Sequence, residues 1–145
     1  MEATEFDIEI TNILKKEFEN NTIAIEEDTD RYIDEMENHY PFGYSGVDWT
    51  KKDNILSLDV KSTEGNRREQ INIFFKEILK DYPNLIDEEV IIVGDGALNY
   101  GYMIRFENFI ELFHLFFELP QDTYVWFLDS KKLINYTFED ELFFG

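Results

Sequence analysis

Cysteine is absent from the 145 residues of the chain, which excludes disulfide bonds, thiolate metal ligands and a cysteine nucleophile. Histidine is scarce, because only His39 and His114 occur and they do not form the short spacings of a zinc-binding motif. No serine lies in the tight strand-to-helix turn that presents a hydrolase nucleophile. We therefore expect no catalytic residues, no metal and no other cofactor, and predict that the protein is not an enzyme.

Long apolar runs are also missing. No stretch approaches the roughly 18 uncharged apolar residues of a membrane-spanning helix. The first residues, Met1 to Glu5, lack the basic and apolar regions of a signal peptide. The sequence therefore predicts a cytoplasmic protein without a membrane span.

Basic residues are few, since 13 Lys and Arg stand against 32 Asp and Glu, and the formal net charge is −19. Nucleic-acid binding needs clustered Lys and Arg to contact phosphates, so this balance disfavours it. The same repulsion disfavours anionic membrane surfaces. A basic protein is the partner that complements such a charge.

The negative charge is concentrated in two blocks. Residues 1–40 and 81–145 each carry a net charge of −10, whereas residues 41–80 carry +1. The two acidic blocks thus flank a nearly neutral middle segment. The sequence does not say whether the fold brings the two blocks together.

Apolar periodicity predicts helices over residues 3–20 and 107–118, and one from Thr63 over residues 64–82. Thr4 is a plausible N-cap of the first helix. A further short helix is predicted over residues 31–39.

Strand patterns fall between these helices, followed by the apolar group Leu142 to Phe144, which we expect to dock onto the fold. The strands are predicted over residues 22–25, 47–50, 54–60, 89–93, 98–106, 123–128 and 133–138. Grouping of strand pairs between helices predicts an α+β fold. We expect an antiparallel or mixed sheet with about three main helices packed on it, in a single domain of residues 1–145.

Gly94-Asp95-Gly96 follows an apolar strand pattern and resembles the metal-binding acidic loop of haloacid-dehalogenase-type phosphatases. The simpler interpretation is a turn between two strands, because Gly and Asp tolerate positive φ. The alternative function is a small metal-dependent enzyme or ligand-binding protein that uses this loop. Its pocket would be lined by Tyr100, Tyr102 and Trp126.

Two runs of carboxylates are the candidate partner-binding residues. A solvated acidic surface is the plainer interpretation of each one. The candidates are Glu26, Glu27, Asp28, Asp30, Asp34 and Glu35 in the first run, and Glu139, Asp140 and Glu141 in the second.

The chain has an excess of acidic residues, abundant Tyr and Trp, and an aromatic and acidic ending over residues 124–128 and 135–141. In these general features it resembles the small acidic immunity proteins of bacterial polymorphic-toxin and contact-dependent inhibition systems. The resemblance implies a non-enzymatic module that neutralises a basic cognate toxin by occluding its active site. Acidic residues would steer the encounter and aromatic residues would anchor the contact. A mimic of nucleic acid, with acids spaced like phosphates, is a further possibility.

Overall fold

A computed structural model describes residues 2–61 and 65–145. Five α-helices lie in these residues: α1 (Glu5–Ile13), α2 (Lys15–Glu19), α3 (Asp30–His39), α4 (Arg67–Asp81) and α5 (Phe106–Phe117). The described strands are β1 (Ile23–Glu26), β2 (Phe42–Gly43), β3 (Gly46–Val47), β4 (Leu56–Asp59), β5 (Glu89–Gly94), β6 (Gly101–Arg105), β7 (Thr123–Phe127), β8 (Leu133–Tyr136) and β9 (Glu141–Phe144). Short 3-10 turns occupy Trp49–Lys51 and Pro83–Asp87.

Seven of the described strands form one antiparallel sheet in the order β1-β6-β5-β7-β8-β9-β4. Strands β2 and β3 form a separate small hairpin. The central strands are buried on both faces, as the uninterrupted burial of β7 and β8 shows. This two-sided burial explains why their sequences are apolar at nearly every position instead of alternating.

Helices α1, α4 and α5 cover one face of the sheet, which we call the helical face. Phe75 of α4 contacts the rings of Phe106, Phe109, Phe113 and Phe117 of α5 at centroid distances of 5.2–6.3 Å. Aromatic pairs at such distances add to the burial of apolar area. This face holds the larger core of the molecule.

The opposite face, which we call the hairpin face, is covered by α3, the β2–β3 hairpin and the turn at Trp49. Tyr32 and Met36 of α3 pack over Trp126 of β7 and Ile91 of β5. Trp126 is fully buried there. The sheet is thus the middle layer between two unequal cores.

The α+β class and the antiparallel sheet are confirmed, with four substantial helices in the described residues, where about three had been expected. The additional one is α3, which the sequence predicted only as a short helix. The first predicted helix is interrupted at Leu14, whose φ of −97° and ψ of 23° separate α1 from α2. Thr4 is its N-cap and forms a reciprocal capping box with Asp7.

The strand predicted over residues 47–50 is wrong beyond Val47. Asp48 accepts hydrogen bonds from the backbone N–H and hydroxyl of Thr50, and this local bonding favours the 3-10 turn. Strand β4 therefore pairs with β9 and not with the preceding segment. The helix predicted over residues 64–82 is described as Arg67–Asp81, and its expected start at Thr63 lies outside the described residues.

Leu142 to Phe144 dock as expected, and they do so as a strand. β9 lies between β8 and β4 and carries the hydrogen bonding of the sheet out to its edge. In the described residues, no helix combines the length and apolar character needed to cross a membrane.

Candidate functional site

An open cleft of about 600 Å³ lies on the hairpin face, between the β2–β3 hairpin, the turn at Trp49 and the strands β8 and β9. Four carboxylates line it, and so do three aromatic rings. The acids are Asp48, Asp122, Glu139 and Glu141, and the rings are those of Trp49, Phe138 and Phe143.

The floor of the cleft is formed by two stacked aromatic rings and a buried side-chain amide. The rings of Trp49 and Phe143 stack with their planes 8° apart and their centroids at 5.4 Å. The indole Nε1 of Trp49 donates a hydrogen bond to Oδ1 of Asn135 at 3.0 Å. The Nδ2 of Asn135 donates to the carbonyl of Thr123 at 3.2 Å, so the buried amide is held at both ends.

One wall of the cleft is the β2–β3 hairpin. Gly46 has a φ of +104°, and a Cβ at this position would lie 2.6 Å from the hydroxyl oxygen of Tyr124. Only glycine combines that backbone conformation with so close an approach. The hairpin therefore presses onto Tyr124 and leaves Tyr44, at its tip, fully exposed beside the cleft residue Ser45.

Asp122 lies at the other wall. Its Oδ1 accepts a hydrogen bond from the backbone N–H of Phe138 at 2.6 Å. Burial raises the pKa of Asp122 above its ordinary value; the Phe138 bond opposes this, and the nearby carboxylates of Asp95 and Glu139 raise it further. The cleft therefore holds a carboxylate whose ionised form is less favourable in the free protein than it would be in water.

Positive charge is sparse around these carboxylates. Asp48 is 3.8 Å from the Nζ of Lys51, a solvent-exposed lysine on the same turn. Among the described residues, no lysine or arginine forms an ion pair with Asp122, Glu139 or Glu141. No basic side chain is among the residues that line the cleft in the described chain. The cleft is therefore suited to a cationic group from outside the protein.

Of the second predicted run, the structure brings Glu139 and Glu141 into the cleft and turns Asp140 away from it. Asp140 has a φ of 62°, and its Oδ1 accepts a hydrogen bond from the hydroxyl of Tyr136 at 2.6 Å. It also pairs with the guanidinium of Arg67. Asp140 thus ties the β8–β9 turn to the start of α4.

The first predicted run lies elsewhere on the molecule. Glu26, Glu27 and Asp28 line a shallow depression with Ile25 and Tyr100 at the β1 edge of the sheet. Five strand steps separate β1 from β9, or roughly 24 Å at the usual strand spacing. Glu26, Glu27 and Asp28 therefore do not converge with the cleft carboxylates.

The remaining candidates of the first run belong to α3. Asp30 begins the helix, and Asp34 is exposed on it. Glu35 pairs with Lys131 of the β7–β8 turn, which fixes α3 over the sheet. Of these three acids, Asp30 and Asp34 are the more available to a partner.

The Gly94-Asp95-Gly96 segment does connect the antiparallel strands β5 and β6, but positive φ is not the reason, because none of its residues has it. A Cβ at Gly94 would collide with the side-chain amide of Gln121. The Oε1 of Gln121 accepts hydrogen bonds from the backbone N–H groups of Ala97 and Leu98. Gly94 thus leaves space for the amide that shapes the loop.

Asp95 has a structural partner in Asp122. Its Oδ1 accepts a hydrogen bond from the backbone N–H of Asp122 at 2.8 Å. In the described part of the chain, no group of three or more His, Cys, Asp or Glu side chains is arranged to hold a metal ion.

The pocket expected between Tyr100, Tyr102 and Trp126 does not form. Tyr102 faces the helical core, whereas Trp126 faces the hairpin core, so the sheet separates them. The hydroxyl of Tyr102 donates to Oδ1 of Asp7 at 2.6 Å. Tyr100 lies at the β1 edge instead.

Sequence reasoning did not single out Asp48, Trp49, Asp122 or Asn135 as site residues. One local signal was available for the first two, since Asp followed two residues later by Thr favours an Asx turn over a strand. Asp122 and Asn135 carried no such signal, because their roles depend on contacts with distant elements. Comparisons of the chain with models of protein families, with curated proteins and with solved structures find no match in any of the three.

Proposed function

We propose that this protein is a non-enzymatic binding module and that its acidic cleft holds a basic segment of a partner protein. The observation that carries the proposal is the cleft itself. It combines three carboxylates without an ion-pair partner in the described residues, exposed aromatic surface and no basic lining residue among them.

An arginine side chain matches this chemistry best. Its planar guanidinium pairs with carboxylates through two parallel hydrogen bonds and stacks on aromatic rings. Glu139, Glu141 and Asp122 supply the carboxylates, and Phe138 supplies a ring whose residue is 68% exposed. Burying that ring against a partner would add apolar contact to the charge pairing.

The hairpin extends the contact beyond the cleft. Tyr44 is fully exposed at its tip, and tyrosine is among the residues that anchor protein interfaces. Tyr44 adjoins the cleft residue Ser45 in the hairpin, and Phe138 lines the cleft itself. A partner surface rather than a small molecule therefore suits this arrangement.

We further propose that the partner is a basic cognate toxin and that binding occludes its active site, as in an immunity protein. The net charge of −19 would steer a basic partner toward the molecule. Glu26, Glu27 and Asp28, at the far edge of the sheet, would act on the encounter through this long-range field.

A tetra-arginine peptide tests the cleft directly. The chain has only two tryptophans, so the indole N–H signals of Trp49 and Trp126 in ¹H–¹⁵N spectra report the cleft and the buried core separately. We expect the Trp49 signal to shift on titration and the Trp126 signal to stay. The variant with Asp122→Asn, Glu139→Gln and Glu141→Gln should lose the response.

The matched control replaces three exposed acids away from the cleft, with Glu9→Gln, Glu37→Gln and Glu111→Gln. It changes the net charge equally and should retain the Trp49 response. Equal loss in both triple variants would show that only net charge matters and would overturn the cleft proposal. Pull-down of a basic toxin from a toxin-containing lysate with the same two variants tests the toxin assignment.

A divalent-metal thermal-shift screen separates this proposal from the metal-dependent alternative at the Asp95 loop. We expect no specific stabilisation by Mg²⁺ or Mn²⁺. Strong stabilisation that disappears with Asp95→Asn would support the alternative instead.

A further inference from the structure

Strand β4 forms one edge of the sheet, on the far side from β1. In residues 2–61 and 65–145 it pairs only with β9. An edge strand presents backbone N–H and C=O groups to any further strand that approaches it.

The hydrogen-bonding pattern shows which residues face the open side. The backbone N–H of Val60 donates to the carbonyl of Asp140 at 3.0 Å, continuing the register in which Leu56 and Leu58 lie opposite Phe144 and Leu142. Since hydrogen-bonding direction alternates along an antiparallel strand, the backbone groups of Ser57 point away from β9. Ser57 is exposed and stands at the centre of the open edge.

An apolar groove of about 350 Å³ runs along this edge, between β4 and α4. Leu56 and Leu58 form its strand side, and Ile73 and Phe74 form its helix side. Ile73 is 52% exposed, so part of the groove's helix side is open to solvent.

The groove lies in the part of the chain that is not acidic. Residues 41–80 have a net charge of +1, whereas the flanking blocks carry −10 each. In the described lining of the groove, Glu77 is the one charged side chain. Two copies of a chain with a charge of −19 would repel each other least along this edge.

We propose that β4 pairs with β4 of a second copy, antiparallel and about a two-fold axis at Ser57, to form a continuous sheet across a dimer. In this register Leu56 of each chain lies opposite Leu58 of the other, on the groove side. A two-fold axis at Asp59 would instead place like charges opposite each other.

Sedimentation velocity over a wide range of protein concentration tests the dimer. We expect a monomer–dimer equilibrium that salt strengthens, because salt screens the repulsion between two acidic chains. Salt should instead weaken the binding of a basic partner at the acidic cleft, because it screens their attraction. A protein that stays monomeric at every concentration and salt level overturns the proposal.

Two variants locate the interface. Ser57→Pro removes an N–H that faces the open edge and leaves pairing with β9 intact, and Ile73→Lys places a charge in the groove. Each should raise the dimer dissociation constant at least tenfold, with a monomer that keeps its circular dichroism. The matched control is Ile8→Lys on α1, where the isoleucine is also 52% exposed, and it should dimerise normally.

A dimer that resists both edge variants, or one that Ile8→Lys disrupts, would place the interface on another face and contradict the proposal. The triple variant of the cleft should still dimerise, and at least as tightly as the native chain, because it lowers the net negative charge of each copy. A protein that does not dimerise therefore leaves the cleft proposal unaffected. A cleft that does not bind basic peptide likewise leaves the dimer proposal unaffected.

Discussion

The carboxylate of Asp122 accepts a hydrogen bond from the backbone N–H of Phe138, with 2.6 Å between oxygen and nitrogen. This bond joins the segment before β7 to the β8–β9 turn and closes one wall of the cleft. It also partly offsets the burial of a carboxylate that has other acids nearby. Asp122 is thus both a structural acceptor and a charge that favours a cationic ligand.

Asp122→Asn should stabilise the free protein at neutral pH, because the amide keeps the acceptor for Phe138 and removes a charge that burial and nearby acids disfavour. The pKa of Asp122 is raised in the folded chain above its ordinary 3.8, mainly by burial. Its favourable contribution is therefore present below pH 3.8 and lost as pH rises through the folded value. Urea unfolding at neutral and acidic pH measures the difference in unfolding free energy between the variant and the native chain. The stabilisation by Asp122→Asn should vanish at acidic pH.

The same variant should weaken binding of tetra-arginine, because asparagine keeps the acceptor for Phe138 but removes the charge. Glu37→Gln, on the exposed surface of α3, is the control and should change neither property measurably. A less stable Asp122→Asn protein at neutral pH would contradict the expected sign.

Asp7→Ala should destabilise the protein by about 3 kcal/mol or more, because it leaves several donors without an acceptor at about 1–3 kcal/mol each. Asp7 is fully buried and accepts hydrogen bonds from Thr4, Asn99, Tyr100 and Tyr102. It therefore ties the start of α1 to the β5–β6 loop. Thermal unfolding beside the control Glu9→Gln, an exposed acid on the same helix, measures the cost.

The stability that Asp7 provides should depend on pH. Burial alone would raise its pKa, but the hydrogen bonds from Tyr102, Thr4 and Asn99 outweigh it and the pKa is lowered. The contribution is therefore complete above the ordinary 3.8 and is lost as pH falls through the lower folded value. The difference in unfolding free energy between the native chain and Asp7→Asn should shrink over that acidic range. A difference in unfolding free energy that stays constant over the acidic range would contradict a contribution from the lowered pKa of Asp7.

Gly94→Ala should destabilise the protein by about 1–3 kcal/mol, the usual cost of overpacking. The added methyl would displace the Gln121 amide from the N–H groups of Ala97 and Leu98. Gly96→Ala is the matched control, because nothing lies within 4 Å of a Cβ there and its φ is not positive. Equal melting temperatures for the two variants would show that Gln121 does not need the space.

Trp49→Phe should cost about 1–2 kcal/mol, because it keeps a ring over Phe143 but leaves the buried Oδ1 of Asn135 without its donor. Asn135→Ala removes the acceptor, and a double-mutant cycle isolates the coupling between the two groups. Purely additive costs would show that the hydrogen bond contributes nothing measurable.

Local patterns predicted most elements, and the errors have a common cause. Helices α3, α4 and α5 and strands β5 to β8 follow from apolar periodicity within each segment. The segment at residues 47–50 has strand-like composition, yet the Asx turn of Asp48 prevails over it. β9 was expected to dock but not to pair, because its place between β8 and β4 depends on two strands distant in sequence.

Composition by itself determined the absence of cysteine chemistry, the acidic charge and its division into two blocks around a neutral middle. Periodicity determined the α+β class, since each element buries its own apolar face. Tertiary structure alone decided which acids share a site, because Asp48, Asp122, Glu139 and Glu141 come from separate segments that the sheet order brings together. It also decided that Tyr102 and Trp126 lie on opposite faces, which follows from the alternation of side chains across paired strands.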